Sequence, residues 1–559
     1  MIAAVLLTVV GTAVAVARYV KRRKTRQQAR QLPGPIAPPF VGPFLSIPDD
    51  VSWVQLSDWG KKHGPIYEFE LFGTRHVWIT EEHIAHQLLS KRAAIYSDRP
   101  LIPSLPDNRT SGDYLALLGR SDMWKRQRKL CNVLMASSSR KDLHAYPTIE
   151  RDRFLYQMYR EPSKYIEWIE QFTARTVSRL CWGTAQPAQV LRHVTYGLLE
   201  TISPTGSLPN LMSFLRFLPA SLSPWQKKEK ARHDMEDRLC AACITFVREN
   251  MTRGTAKPSF TASYYQDSQG DSSRSNGSEA PEASHVISLM AIAGALTIGS
   301  PIQSYILAMV HHPEWERRLQ EEIDTVLGGR CPEWEDRHNL PKLRATIKEV
   351  IRWRPAVPMG IPHASEADDV YDGYFIPGGA TIHPLEWAMT RDERFYPDPE
   401  SFHPGRWLNP DSPVYRDSAD RSLNLNGYSQ FGFGRRTCQG IPIVEQDLFL
   451  TMGGMAWAFN IRKARDPATG AERPVHWNDY TPLLIAKPKW FPFEAVPRSQ
   501  DKIDRMREMH IASRRYVEAE REMGDMDVSQ FEPELGHKIY VEDVSDEEWL
   551  DEDWELLDL

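Results

Sequence analysis

The chain has 559 residues, 25% of them charged and 41% hydrophobic; this fits one large globular domain or several ordinary ones and excludes a mainly disordered chain, a collagen or a multi-span membrane protein. The net charge of −6 is uneven, because residues 541–559 hold ten acids and no base and so leave the rest at +4, too little for a nucleic-acid binder. Six cysteines are too few for a disulfide scaffold, and the Cys240/Cys243 pair has no second metal-ligand pair and sits in a helical pattern, as core residues do.

Ile2 to Ala17 is uncharged and apolar, and Arg18, Lys21, Arg22, Arg23 and Lys24 follow at once. Extended to Val20, the run is about 28 Å long as a helix, enough for one membrane crossing. Charge after the run keeps the following chain on the cytosolic side, and its absence before the run disfavours a signal peptide. Ala13-Val14-Ala15 keeps a cleaved signal as the alternative. The division expected is an anchor over 1–20, a basic and proline-rich linker over 21–40, a globular body over 41–498 and a charged extension over 499–559. The prolines of Leu32–Pro39 predict a stiff spacer.

Within the body, helical patterns dominate before residue 300, as in Trp124–Leu134 and Glu236–Arg248. Ile66–Thr80 alternates Tyr67, Phe69 and Leu71 with charged residues, a half-buried strand pattern. Val370–Thr381 carries the turn signals Asp372-Gly373 and Pro377-Gly378. Gln266–Ser284, rich in Ser, Gly, Asp and Asn, predicts a surface loop, and His285–Val310 a long apolar helix. The fold class is mainly α with small β-sheets.

The chemistry concentrates in Phe431-Gly432-Phe433-Gly434-Arg435-Arg436-Thr437-Cys438-Gln439-Gly440. Glycines permit positive φ and the close approach of a flat partner, and free N–H groups aimed at sulfur stabilise a thiolate. Arg436 can reach an anionic group on the same partner, Phe431 can shield the sulfur, and a following helix N-terminus favours its charge. A flat, anionic, metal-bearing partner with one thiolate ligand is a haem.

This segment resembles the haem loop of the cytochrome P450 family, F-x-x-G-x-R-x-C-x-G, at every fixed position. Glu349-Val350-Ile351-Arg352 is similar to the family's E-x-x-R helix, and Phe402-His403-Pro404-Gly405-Arg406-Trp407 to its F-x-P-x-R-W segment. The resemblance implies a buried charge cluster of Glu349, Arg352 and Arg406 that locks the fold around the haem loop. It implies Cys438 as the axial ligand of haem b iron, with Phe431, Gly434 and Gly440 shaping the loop. Trp124 and Arg128, in a W-x-x-x-R helix, would reach the propionates with Arg436 and His363; a structural role for His363 is the alternative.

The oxygen-activating helix departs from the pattern. Ala293-Gly294-Ala295-Leu296-Thr297-Ile298 stands where the family has A-G-x-[D/E]-T-[T/S], so Leu296 replaces the acid. Thr297 remains as the candidate catalytic residue, the alternative being a hydroxyl tied to a carbonyl one turn back. Pro301 lacks an N–H for the Thr297 carbonyl and Gly299 loosens the same turn, so a kink is expected there. Ser288–Thr297, Ala356–Ile361 and Tyr480–Leu484 are expected to line an apolar pocket for a hydrophobic small molecule.

The resemblance is to fungal microsomal members. It implies an endoplasmic reticulum enzyme using dioxygen and electrons from NADPH through cytochrome P450 reductase, acting in secondary-metabolite biosynthesis. The alternatives are coupling, desaturation or rearrangement at the same haem without oxygen insertion, and a non-catalytic haem ligand-binding protein. The acidic tail, with Trp549, Leu550, Trp554 and Leu557, is either solvated or folded back on a basic reductase-docking face.

Overall fold

The computed structural model describes residues 29–105, 107–138, 141–270, 280–415 and 423–535. The anchor over 1–20, the basic run and the acidic tail lie outside the described residues.

Strands β1 (Ile66–Leu71) and β2 (Thr74–Ile79) form a hairpin, turning at Phe72 and Gly73, both at positive φ. Two positive-φ residues give the turn twist that matches paired strands. The alternation read in the sequence is real: Tyr67, Phe69 and Leu71 are buried and Glu70 is exposed. Near residue 370 lie β3 (His363–Ala364), a second hairpin of β4 (Asp369–Tyr371) and β5 (Tyr374–Ile376) turning at Asp372-Gly373, and β6 (Thr381–Pro384). The main sheet has the order β1-β2-β6-β3, with β2 and β6 parallel. A last pair, β7 (Phe459–Lys463) and β8 (Phe493–Pro497), lies after residue 458.

Helices make up the rest of the core. They include α1 (Asp122–Ser137), α2 (Lys141–Arg160), α3 (Tyr165–Trp182), α4 (Ala188–Ile202), α5 (Pro224–Arg253), α6 (Ala280–Thr297), α7 (Gly299–His311), α8 (Pro341–Trp353), α9 (Ile441–Ala458) and α10 (Gln500–Glu520). Ser121 caps α1 by accepting from the Trp124 N–H, and Trp124, Gln127, Leu130, Cys131 and Leu134 form its buried stripe. Such a cap satisfies one of the orphan N–H groups at a helix start. α6 is pressed so closely on α3 that a Cβ at Gly294 would lie 2.4 Å from Val177 Cγ1. Among the described residues one stretch, Pro281–His311, is long and apolar enough to cross a membrane, but most of it is buried inside the protein, as the α6–α7 core.

Three expectations change. The surface loop is shorter than Gln266–Ser284, since helix Phe260–Gly270 and α6 take its two ends and 271–279 lie outside the described residues. The proline-rich segment lies along the body instead of standing off it: Leu32 is buried and the Glu68 N–H donates to the Pro33 carbonyl at 2.8 Å. The chain after Ser499 is part of the core up to Leu535. There α10 packs on α2, with His510 stacked 4.6 Å from Tyr156. Met506, Met523 and Phe531 are fully buried, and Arg238 of α5 pairs with Glu534 and covers the Phe531 ring at 5.4 Å.

A buried Phe is worth its transfer energy plus the cavity left behind, so Phe531→Ala should destabilise the protein by about 3–5 kcal/mol. A melting temperature equal to that of the unaltered protein would show that the extension is not part of the core.

Candidate active site

Cys438 is exposed, while the other five cysteines are buried or half-buried. Its N–H donates to the Phe431 carbonyl at 2.7 Å, closing the loop on itself. Gly432 (φ 81°) and Gly434 (φ 55°) take conformations that favour glycine, and a Cβ at Gly434 would meet the Leu89 carbonyl at 2.3 Å. The close approach that requires Gly434 is therefore to backbone, not to a flat partner. Gly440 has an ordinary φ of −80°, and a Cβ there would lie 3.7 Å from the Cys438 sulfur. Surrounding protein pushes the Cys438 thiol up, while the Gly440 N–H, Arg128 and the Ile441 N–H at the start of α9 pull it down. Binding a metal cation would complete the deprotonation.

Beside this loop three arginines share one corner. Arg436 donates to the carbonyls of Ser97 (2.8 Å) and Leu118 (2.7 Å) and lies 4.2 Å over the Trp124 ring. Arg128 donates to Thr437 O at 2.7 Å. Arg99, which no motif in the sequence singled out, donates to Ala116 O and Pro362 O. Among the described residues none of the three is ion-paired to a carboxylate. Burial, then repulsion from Arg99 and Arg128, pushes Arg436 down to about 8; burial and Arg128 push Arg99 down to about 9. An arginine does not surrender its proton easily, so the corner calls for anionic charge. Trp124 Nε1 and Ser97 Oγ are buried there without a hydrogen-bond partner, two donors that bound carboxylates would satisfy. These residues fit a thiolate-ligated group bearing two carboxylates.

His363 bonds the Tyr96 carbonyl through Nδ1 at 2.7 Å. A neutral ring then offers Nε2 only as an acceptor. Burial, Arg99 and Arg436 hold the ring well below its ordinary pKa, so His363 can serve an anion only once that anion has raised it.

Glu349 is fully buried and satisfied on both oxygens. Arg352 grips it at 2.9 and 2.7 Å, Arg406 at 3.2 Å, the His403 N–H at 2.8 Å and Trp407 Nε1 at 3.0 Å. Trp407 in turn packs 5.5 Å from Tyr428, whose carbonyl accepts from the Phe431 N–H. The cluster thus reaches the Cys438 loop through one aromatic contact.

The helical run breaks at Ile298, between α6 and α7, with Ile298 itself still at φ −66° and ψ −30°. Thr297 Oγ1 donates to the Ala293 carbonyl at 3.0 Å, the local bond that was the alternative reading. Leu296 is buried with Leu199, Leu484 and Ile485, against Ala356 and Val357. Three of the four stretches in this cluster were expected to line the pocket; α4, which brings Leu199, was not. Tyr480 turns away, 3.4 Å from Ser304 and beside Arg354.

Fold and site define a helical protein built to hold a planar dianionic group on a cysteine thiolate. The cytochrome P450 family model matches residues 32–477. The chain is 30% identical over 469 residues to the cytochrome P450 monooxygenase fogE of Aspergillus ruber, covering 83% of this chain and 86% of that one. It is 29% identical to the cytochrome P450 monooxygenase ARMGADRAFT_1018420 of Armillaria gallica (80% and 86% covered) and 28% to virE of Hypocrea virens (83% and 84%). The chain belongs to the cytochrome P450 family and is a P450 monooxygenase, and membership implies haem with thiolate ligation of its iron.

Glu349→Ala strands two buried guanidiniums, a loss of about 3–5 kcal/mol. Little or no soluble folded protein is expected, and a normal thermal melt would contradict the role given to the cluster.

Proposed function

We propose that Cys438 ligates the haem iron, that Trp124, Arg128, Arg436 and Arg99 take the propionates, with His363 as imidazolium, and that the protein inserts one oxygen atom into a hydrophobic small molecule. The observation that carries this reading is the meeting of an accessible cysteine with two buried guanidiniums and one half-buried one, none of them ion-paired to a carboxylate among the described residues. When bound, the haem supplies reductive activation of dioxygen, with the thiolate donating electron density through iron.

The protein's own part is to orient, exclude water and move protons. Phe431 and the Cys438 loop shield the sulfur. The Gly440 and Ile441 N–H groups hold its negative charge. Leu199, Leu296, Leu484 and Ile485 offer an apolar wall and no charge, which suits a substrate such as a secondary-metabolite intermediate. Thr297 Oγ1 can release its bond to Ala293 and donate into the cleft. Pro301 leaves the Thr297 carbonyl without its helical donor, a place for a water or a substrate hydroxyl to pass protons on.

Membrane attachment at the endoplasmic reticulum is supported by an exposed apolar surface on which the described N-terminal segment and residues 208–222 meet. Phe40 and Phe214 rings lie 6.2 Å apart, with Ile36, Leu45, Phe217 and Leu222 exposed. Such a patch marks a contact surface. Lys129 and Arg435, exposed beside the Cys438 loop, suit an acidic NADPH-dependent reductase as electron donor. Desaturation or coupling at the same centre is the second reading. It is favoured by the absence of an acid at Leu296.

Cys438→Ser should abolish the thiolate-type carbon monoxide difference spectrum while leaving soluble protein; retention of that spectrum would assign the ligand elsewhere. With the reductase supplied, Thr297→Ala should release more hydrogen peroxide per NADPH consumed. Mass spectrometry of extracts from a strain lacking the gene decides the outcome. A missing product one oxygen heavier than the accumulated precursor supports insertion, and one lighter by two hydrogens supports the second reading.

A further inference from the structure

One buried guanidinium ties α5 to α4, which flanks the Leu296 cluster, and to the 107–121 segment, which serves the arginine corner; these are the two walls of the proposed substrate cleft. Arg232 of α5 bonds Glu229 at 2.8 and 2.7 Å, pairs with Glu236, and donates to Tyr114 Oη at 2.6 Å. All four residues are buried. Glu229 also accepts from Thr201 of α4 at 2.9 Å, and Gly197 of α4 leaves room for the arginine stem, where a Cβ would lie 3.0 Å from its Cδ. Tyr114 belongs to the segment whose next residues serve the arginine corner: Ala116 O accepts from Arg99 and Leu118 O from Arg436. α4 carries Leu199 against Leu296. Loosening Arg232 therefore frees both walls at once.

Histidine 233 stands at the solvent edge of this network. Its Nδ1 is 3.2 Å from Tyr114 Oη. Its Nε2 is 3.5 Å from Asp237 and 3.8 Å from Asp113. Asp113 also pairs with His285 of α6 at 3.2 Å. The charged groups around His233 are thus Arg232, Asp234, Glu236 and Asp237 on its own helix, Asp113 and the Tyr114 phenol from the 107–121 segment, and His285 from α6. Tyr114 Oη thus stands between Arg232, Glu236 and the His233 ring, the one atom all three share.

We propose that Arg232, Tyr114 and His233 form a latch that positions the two cleft walls and sets how fast a hydrophobic ligand enters. The proposal rests on reading the cleft above Cys438 as the substrate chamber. Arg232, Tyr114 and His233 act through the walls and are positioning residues.

The test uses the holoenzyme and phenyl isocyanide, a haem ligand that does not titrate near neutrality, followed by stopped-flow absorbance, with hydrogen exchange of residues 107–121 as a second readout. Tyr114→Phe keeps the ring and the Arg232–glutamate pairs. It should raise entry and exit rates about fivefold, the worth of one buried hydrogen bond, and speed exchange of 107–121, at a nearly unchanged melting temperature. Unchanged rates and exchange in Tyr114→Phe would overturn the latch. If the unaltered protein binds no isocyanide, the haem reading fails instead, and the exchange of 107–121 in Tyr114→Phe decides the latch.

Discussion

Positive charge with no carboxylate ion-paired to it among the described residues shapes the protein around Cys438. Arg99, Arg128 and Arg436 spend their hydrogen bonds on carbonyl oxygens, which orient a guanidinium but do not neutralise it. Unpaired buried charge is costly, so the arrangement makes sense as one half of a complex whose other half is anionic. The Tyr114–Leu118 turn, the Ile361-Pro362 stretch and α1 all meet at this corner because each supplies an acceptor or an aromatic face to those three side chains.

Glu349 solves the opposite problem. It is a buried carboxylate whose neighbours supply more donors than it needs, and the surplus donors of Arg352 reach Thr390, Pro399 and Ser401 carbonyls. That stitches α8 to the chain around residue 400, and so to the loop that presents the cysteine. Neutralised charge on one side gives a rigid frame, and unneutralised charge on the other gives a binding site.

Leu296 changes how protons can travel. An acid there would stand among Leu199, Leu484 and Ile485, where it would be desolvated; leucine fits the surroundings it has. On the proposed reading, proton delivery falls to backbone and hydroxyl groups near the break at Ile298. A Cβ at Gly299 would lie 3.3 Å from Ile169 of α3 there, and Ser300 donates to the Ala486 carbonyl. The break is thus braced from two sides.

The sequence alone determined the helical class, the two β stretches and the Cys438 loop, each written in short spacings: period-two alternation, an Asp-Gly turn and fixed glycines. The cluster of Glu349, Arg352 and Arg406 was legible only through the family resemblance, because Arg406 lies far from the other two in the chain. Arg99 was not legible, since its role comes only from the carbonyls of residues 116, 361 and 362 that the fold folds over it. Nor was the tie between Tyr114 and Arg232, 118 residues apart. Asp501–Glu522 read as a charged helix, but not as part of the core, because a helix with a mixed composition shows its buried stripe only once α2 is present to cover Met506 and His510. Local chemistry is fixed by near neighbours in the chain. Which charges remain unpaired, and which surfaces are covered, depends on residues brought together from a distance, and only the tertiary structure decided that.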